Sequence, residues 1–194
     1  MHKGNDFFDE IAARWDEVSR HDSAKVEFLI GKASIEPDMS VLDVGTGTGI
    51  LVPWILNKVT ESGSLTAIDL SDGMLGVARS KFHSPNLHFV CDDIHSFSCD
   101  ERFDRIVVYS AFPHFLDKQV AISNMARLLK NGGQLQICHS DSRDRINGVH
   151  ARTPEVVGDH LPPADVVSQM CSKAGLSVLE TIDDENFFLV RCRK

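Results

Sequence analysis

No stretch of this 194-residue chain stays apolar for the roughly 20 residues that a membrane-spanning helix needs. Its opening residues, Met1-His2-Lys3-Gly4-Asn5-Asp6, lead into no hydrophobic signal segment, so a soluble, untargeted protein is expected. Runs of lysine and arginine are also missing. With 20 basic against 28 acidic side chains and a net charge of −8, the footprint of a nucleic-acid binder is absent and a polyanionic substrate is disfavoured. The five cysteines, at 91, 99, 138, 171 and 192, are odd in number and include no C-x-x-C pair. Cys91 and Cys138 fall in apolar runs, which predicts reduced, packed thiols and a cytoplasmic protein. Neither an internal repeat nor a low-complexity tract interrupts the chain, and its length suits one domain, residues 1–194, with a substantial core.

What is present is most concentrated between Val41 and Ile50, which read Val-Leu-Asp-Val-Gly-Thr-Gly-Thr-Gly-Ile. An apolar strand delivers the backbone to a turn where Gly45, Gly47 and Gly49 leave no Cβ atoms between the chain and a ligand lying against it. The dinucleotide fingerprint G-x-G-x-x-G would place a pyrophosphate on the next helix. Here the third glycine comes one residue early and an acid, Asp43, sits in the strand end. A structural turn and a nicotinamide or flavin site are the competing readings of the loop alone.

Asp-x-Gly-x-Gly-x-Gly at the end of a first strand resembles motif I of the class I S-adenosylmethionine-dependent methyltransferases. Further motifs carry the resemblance in order through residue 139. Ala67-Ile68-Asp69-Leu70-Ser71 resembles the second-strand end, with Asp69 placed 20 residues after the last glycine. Phe89-Val90-Cys91-Asp92-Asp93-Ile94 resembles the third-strand end, Phe103 to Tyr109 the fourth strand, and Leu128-Leu129-Lys130-Asn131-Gly132-Gly133 the turn before the fifth. The resemblance implies S-adenosylmethionine as cofactor. Its carboxylate would meet the amides of the turn Gly45, Thr46, Gly47, Gly49, and its ammonium end or a bridging water would meet Asp43. Asp69, beside Leu70, would take the ribose hydroxyls. Met74 would cover the adenine, and Asp93 with the Ile94 amide would read its edge, while Asp92 reads as a solvated loop carboxylate. Trp15 and Asp16 resemble the aromatic-Asp pair in the N-terminal helix of the ubiquinone/menaquinone-biosynthesis-like branch, with Trp in a Tyr slot. Trp15 is then a cofactor cover or a hydrophobic docking residue.

The periodicities predict a helix over 6–18 and a second over 23–33 behind a Ser23 N-cap, together an N-terminal cap of residues 1–36. Strands near 40–45, 64–69, 87–91, 104–109 and 134–139 alternate with helices near 49–60, 72–82 and 117–130. That is the grammar of a doubly wound α/β sheet with its ligand crevice beyond the carboxyl strand ends. A helix over 164–174 and a hairpin of 176–182 with 187–192 close the chain. The resemblance implies a Rossmann-like seven-stranded sheet ordered 3-2-1-4-5-7-6, strand 7 antiparallel.

Methyl transfer asks mainly for in-line positioning and exclusion of water, with a base only for a poorly nucleophilic acceptor. Candidates at the fourth and fifth strand ends are Tyr109, Ser110, His114, His139 and Asp141. Tyr109 is also placed at the cofactor, and His114 matches the second His of the family's loose Leu-His-His pattern, with packing as the alternative role. No Asn/Asp-Pro-Pro-Tyr follows strand four, which argues against enzymes that methylate amino groups of DNA, RNA or protein glutamine. Residues 140–163, carrying Asn147, His150 and His160, read as an exposed polar lid, an acceptor pocket or a metal site; no ligand spacing supports a metal. The expected function is methylation of a small-molecule acceptor, with His114, Tyr109 and His150 as catalytic candidates. The alternative is a non-catalytic S-adenosylmethionine-binding regulator or partner subunit, which would lack a cavity beyond the methyl group.

Overall fold

The central strands are short runs buried on both faces, as strands of a covered parallel sheet must be. The computed structural model describes residues 3–194. Met1 and His2, where the expected cap of residues 1–36 begins, lie outside the described residues. Strands β1 (Ser40–Val44), β2 (Ser64–Asp69), β3 (Leu87–Cys91), β4 (Phe103–Tyr109), β5 (Leu129–His139), β6 (Ser177–Asp183) and β7 (Phe188–Arg193) form one sheet in the order β3-β2-β1-β4-β5-β7-β6. Pairing is parallel from β3 to β5, and β7 runs antiparallel to both β5 and β6. Order and orientation are those the family resemblance implies.

Side chains alternate across the sheet, so each strand feeds two cores. On one face Leu42, Val44, Ile106 and Val108 meet α6 (Lys118–Leu128) and α8 (Ala164–Lys173) through Ile122, Met125, Val167 and Cys171. On the other, Val41, Leu65, Val107 and Tyr109 pack with α3 (Ser23–Lys32) and α4 (Val52–Val59) through Leu29, Ile30, Val52 and Ile55. Helix α5 (Asp72–Lys81) buries Met74, Leu75 and Ala78 and is capped by the Ser71 hydroxyl, which accepts from the Met74 amide at 3.0 Å.

Several boundaries differ from expectation. The predicted 6–18 helix is α1 (Lys3–Ile11) and α2 (Trp15–Val18), parted by a 3-10 turn at Ala12–Arg14 that brings buried Ala12 against α5. Asp22, not Ser23, caps α3, because its carboxylate accepts from the amides of Ala24 and Lys25. Strand β5 begins at Leu129, five residues early, with Lys130–Gly133 bulging between two registers of β4 and Gly132 at φ 77°. The polar stretch 140–163 holds an unpredicted helix, α7 (Arg143–His150), capped by Ser142. Cys91, expected to be packed, is exposed because β3 is an edge strand; Cys138 is buried, and all five cysteines are free. Among the described residues no helix is long and apolar enough to cross a membrane.

Candidate functional site

Strands β1 and β4 are neighbours, and from them the chain order proceeds toward opposite edges of the sheet, which opens a crevice at their carboxyl ends. A cavity of about 370 Å³ occupies it. The glycine loop forms one wall, with Gly45, Gly47 and Gly49 at φ 70°, 55° and 86°, the left-handed region that residues with a Cβ avoid. A Cβ on Gly45 would stand 2.3 Å from the Ala111 Cβ, whereas one on Gly47 would meet open space at the cavity wall. Asp69 ends β2 with both oxygens engaged, accepting from the Gly47 amide at 2.7 Å and the Ser71 amide at 2.9 Å. Burial raises its pKa against those two bonds. Asp43 lies beneath the loop, fully buried, and accepts from the Thr46 hydroxyl at 2.7 Å. Burial, reinforced by the Asp69 charge and opposed by Thr46, pushes it to about 7.

Loop amides are largely committed within the protein. Those of Gly45 and Thr46 donate to the Ile68 carbonyl, that of Gly47 to Asp69 and that of Gly49 to the Thr46 carbonyl, and α4 begins only at Val52. The expected cradle of free amides at a helix N-terminus is therefore not formed by these four groups. Buried Met74, exposed Leu70, Asp93 and Ile94 line the adjoining wall. Asp93 Oδ1 accepts from the His95 amide at 2.9 Å and lies 2.5 Å from His95 Nδ1, while Asn124 donates to the Ile94 and Phe97 carbonyls and fixes the turn.

The N-terminal helices reach over this edge. Phe8 and Trp15 line the cavity with their rings 5.6 Å apart and near-perpendicular. Two carboxylates fasten them. Asp9 accepts from the Ser71 hydroxyl at 2.5 Å and the Gly73 amide at 2.9 Å, and Asp16 accepts from the Thr48 hydroxyl at 2.5 Å and Lys81 at 2.7 Å. Burial opposes ionisation of Asp16, but the Lys81 and Thr48 bonds hold its carboxyl below the usual range.

Past Tyr109 the cavity turns polar and histidine-rich. The Tyr109 hydroxyl sits between His21 Nδ1 at 2.7 Å and the Ser140 hydroxyl at 2.8 Å, and burial pushes its pKa up to about 12. His114 Nδ1 meets the Asp159 carboxylate at 2.6 Å, with the Phe8 ring at 5.0 Å and the His150 ring at 4.9 Å. His150 Nδ1 meets the Asp159 carbonyl at 2.9 Å. His139, 3% exposed at the end of β5, packs edge-on against Phe188, and burial lowers its pKa to about 3 with His114 and His150 contributing. Among the described residues no group of three or more His, Cys, Asp or Glu side chains is arranged to hold a metal ion.

Residues 41–133 match the family described as a methyltransferase domain. The ubiquinone/menaquinone biosynthesis C-methyltransferase UbiE of Bordetella avium is 33% identical over 138 residues, which cover 67% of this chain and 54% of that protein. The chain carries a class I S-adenosylmethionine-dependent methyltransferase domain. The malonyl-[acyl-carrier protein] O-methyltransferase of Priestia megaterium is 24% identical over 183 residues, covering 86% and 65%. A S-adenosylmethionine dependent methyltransferase structure from Aquifex aeolicus shares the fold at TM-score 0.75 and 20% identity over 94% of this chain and 97% of that one. The chain spans about half the length of the curated relatives with the highest identity.

Within this methyltransferase domain the sequence-predicted residues Gly45, Thr46, Gly47, Asp69, Leu70, Met74, Asp93, Ile94, Tyr109, Trp15, His114 and His150 all line the one cavity. So do Asp92, Ser110, His139 and Asp141. Asp43 and Gly49 stand behind the wall, supporting it. Two lid residues are not brought in: His160 is exposed, and Asn147 clamps Leu161 through its amide oxygen and nitrogen at 2.8 and 3.0 Å. Sequence reasoning missed Asp159 and His21, whereas Phe8 opens the N-terminal motif that carries Trp15 and Asp16. Asp159 adjoins the flagged His160, but nothing local marks which of the two turns inward.

Proposed function

We propose that this protein is an S-adenosylmethionine-dependent methyltransferase acting on a small-molecule acceptor in a reducing, cytoplasmic setting. One observation carries the reading: a single cavity runs from the glycine loop and Asp69, past Tyr109, to a second set of polar groups at His114, His139 and His150. That continuation supports an enzyme over a protein that only binds the cofactor. The free cysteines support the compartment.

The residues fit the cofactor. The side-chain-free face of Gly47 leaves room against the wall, and the Asp69 carboxylate, with both oxygens already anchored, retains lone pairs for a vicinal diol. Met74 and Trp15 line the same cavity with apolar and π surface. Bound there, S-adenosylmethionine supplies a methyl group already activated on a sulfonium. The protein's tasks are to align the acceptor, exclude water beneath Phe8 and Trp15, and receive a proton when the acceptor holds one. Tyr109, protonated across the neutral range, serves as a hydrogen-bonding wall, leaving His114 as the group suited to take a proton.

Isothermal calorimetry with S-adenosylmethionine, S-adenosylhomocysteine and NAD tests the assignment. Micromolar binding of the first two is expected. Preference for NAD, or no binding of either adenosyl compound, overturns it.

A further inference from the structure

The amino-acid end of S-adenosylmethionine carries a carboxylate, and the cavity wall is ill suited to one. Six acids line it, Asp16, Asp69, Asp92, Asp93, Asp141 and Asp159. The amides of Gly45, Thr46, Gly47 and Gly49 all donate within the protein, and the Thr48 hydroxyl is committed to Asp16. A carboxylate set among like charges needs a cation within reach. Among the described residues only two permanent cations line the cavity, Arg20 and Arg145. Arg145 already meets Asp141 at 3.4 Å, whereas Arg20 has no hydrogen bond or ion pair among the described residues. The neighbouring His21 is no substitute: burial, against the charges of Asp16 and Asp141, holds its pKa below the ordinary value, and its ring nitrogens are taken up by Tyr109 and Ser19.

We infer that Arg20 binds the carboxylate of the cofactor's amino-acid end, so that the N-terminal segment, and not the glycine loop, reads that end of the ligand. This rests on the methyltransferase reading above. With the ribose at Asp69 on β2, the rest of the cofactor extends across β1 toward β4, its neighbours in the sheet. Arg20 is held over that path. Four residues before it, Asp16 is tied to Thr48 in the glycine loop, and one residue after it, His21 Nδ1 meets the Tyr109 hydroxyl at the end of β4 at 2.7 Å. Between these anchors the Ser19 amide donates to the Trp15 carbonyl at 2.8 Å, which keeps the turn short. A guanidinium presents a fork of N–H donors that matches the two oxygens of a carboxylate. The acids left on the wall suit the ammonium of the same amino-acid end. A cofactor with its carboxylate therefore draws residues 15–21 onto the cavity, and an adenosyl compound without one leaves them as they are in the free protein.

Calorimetry with three probes separates this inference from the reading beneath it: S-adenosylhomocysteine; S-adenosyl-3-thiopropylamine, which lacks only the carboxylate; and 5′-methylthioadenosine, which lacks the whole amino-acid end. If the wild-type chain binds none of them, the methyltransferase reading itself fails. On a chain that binds them, Arg20→Met should weaken S-adenosylhomocysteine by about 10–100-fold and leave the other two unchanged within about twofold, and Arg20→Lys should recover part of the lost affinity. Asp69→Ala should instead weaken all three, since each carries the ribose. Because the Arg20 side chain makes no bond in the free protein, its variants should unfold at the wild-type temperature. Hydrogen exchange should show residues 15–21 protected by S-adenosylhomocysteine in the wild type, and left unprotected by 5′-methylthioadenosine. Equal losses for all three probes in Arg20→Met, no loss at all, or a carboxylate-specific loss in Arg145→Met instead would each overturn the proposal while leaving the cofactor assignment standing.

Discussion

In the cofactor half of the cavity the polar groups answer one another at strand ends that lie side by side. Asp69 holds Gly47 and Ser71, Asp43 holds Thr46, and Asp93 holds the His95 amide, all within three motif turns. The proposed acceptor half is assembled from afar: His21, Tyr109 with His114, His139, and His150 with Asp159 come from four stretches of chain, and one buried nitrogen is left without a partner among the described residues. A half satisfied by its own backbone is built for stability and for a fixed ligand. A half with unspent hydrogen-bonding capacity is built for whatever it must hold, at some cost to the fold.

The largest test breaks the well-satisfied half. Gly45→Ala places a Cβ against Ala111 at a positive φ, and should cost about 2–5 kcal/mol, read as a fall in unfolding temperature of roughly 5–20 °C. A loss under about 1 kcal/mol would mean that the loop yields freely. Next comes Asp69→Ala, expected to weaken S-adenosylmethionine binding by about 1–3 kcal/mol in calorimetry, because two ribose hydroxyls lose their acceptor.

The two halves also titrate in opposite senses. Asp43 at about 7 keeps a proton that the unfolded chain releases near 4, so stability falls as pH rises across that window. His139 at about 3 refuses a proton that the unfolded chain takes up near 6.5, so stability rises with pH there. Across roughly pH 4–6.5 these contributions oppose each other. Asp43→Asn should expose the His139 slope, up to about 1.4 kcal/mol per pH unit upward with pH, in urea melts at pH 5 and 6. An unchanged slope would show that Asp43 is not linked to folding as its burial implies. Smallest is His139→Phe, which removes the unpaired nitrogen and should raise stability above pH 7 by about 1 kcal/mol in urea melts; a destabilised variant would contradict the contrast between the halves.

The same contrast explains what could be read in the chain before folding. The sheet order was legible through the family resemblance, and the ends of β2 and β3 and the placement of Asp69, Met74 and Ile94 on the cavity wall because each sits in a short local motif. Helix α7 was hidden in a polar stretch with little apolar periodicity, its start set by the Ser142 cap. The break between α1 and α2 was masked by apolar spacing that runs on through it. Asp159 and His21 were beyond reach for a different reason: their roles come from tertiary neighbours 45 and 88 residues away, His114 and Tyr109.

Strand β7 lies between β5 and β6, though β6 precedes it in the chain. Until residues 188–193 are in place, β6 has no ladder to join, and its edge has nothing to donate to or accept from. His139 pairs in register with Phe188, whose ring also backs its imidazole, so the histidine-lined end of the cavity gains its floor at this same late event. A chain emerging from the ribosome can therefore assemble its glycine loop well before the histidine-lined end of its cavity, which is complete only once β7 is wedged between β5 and β6.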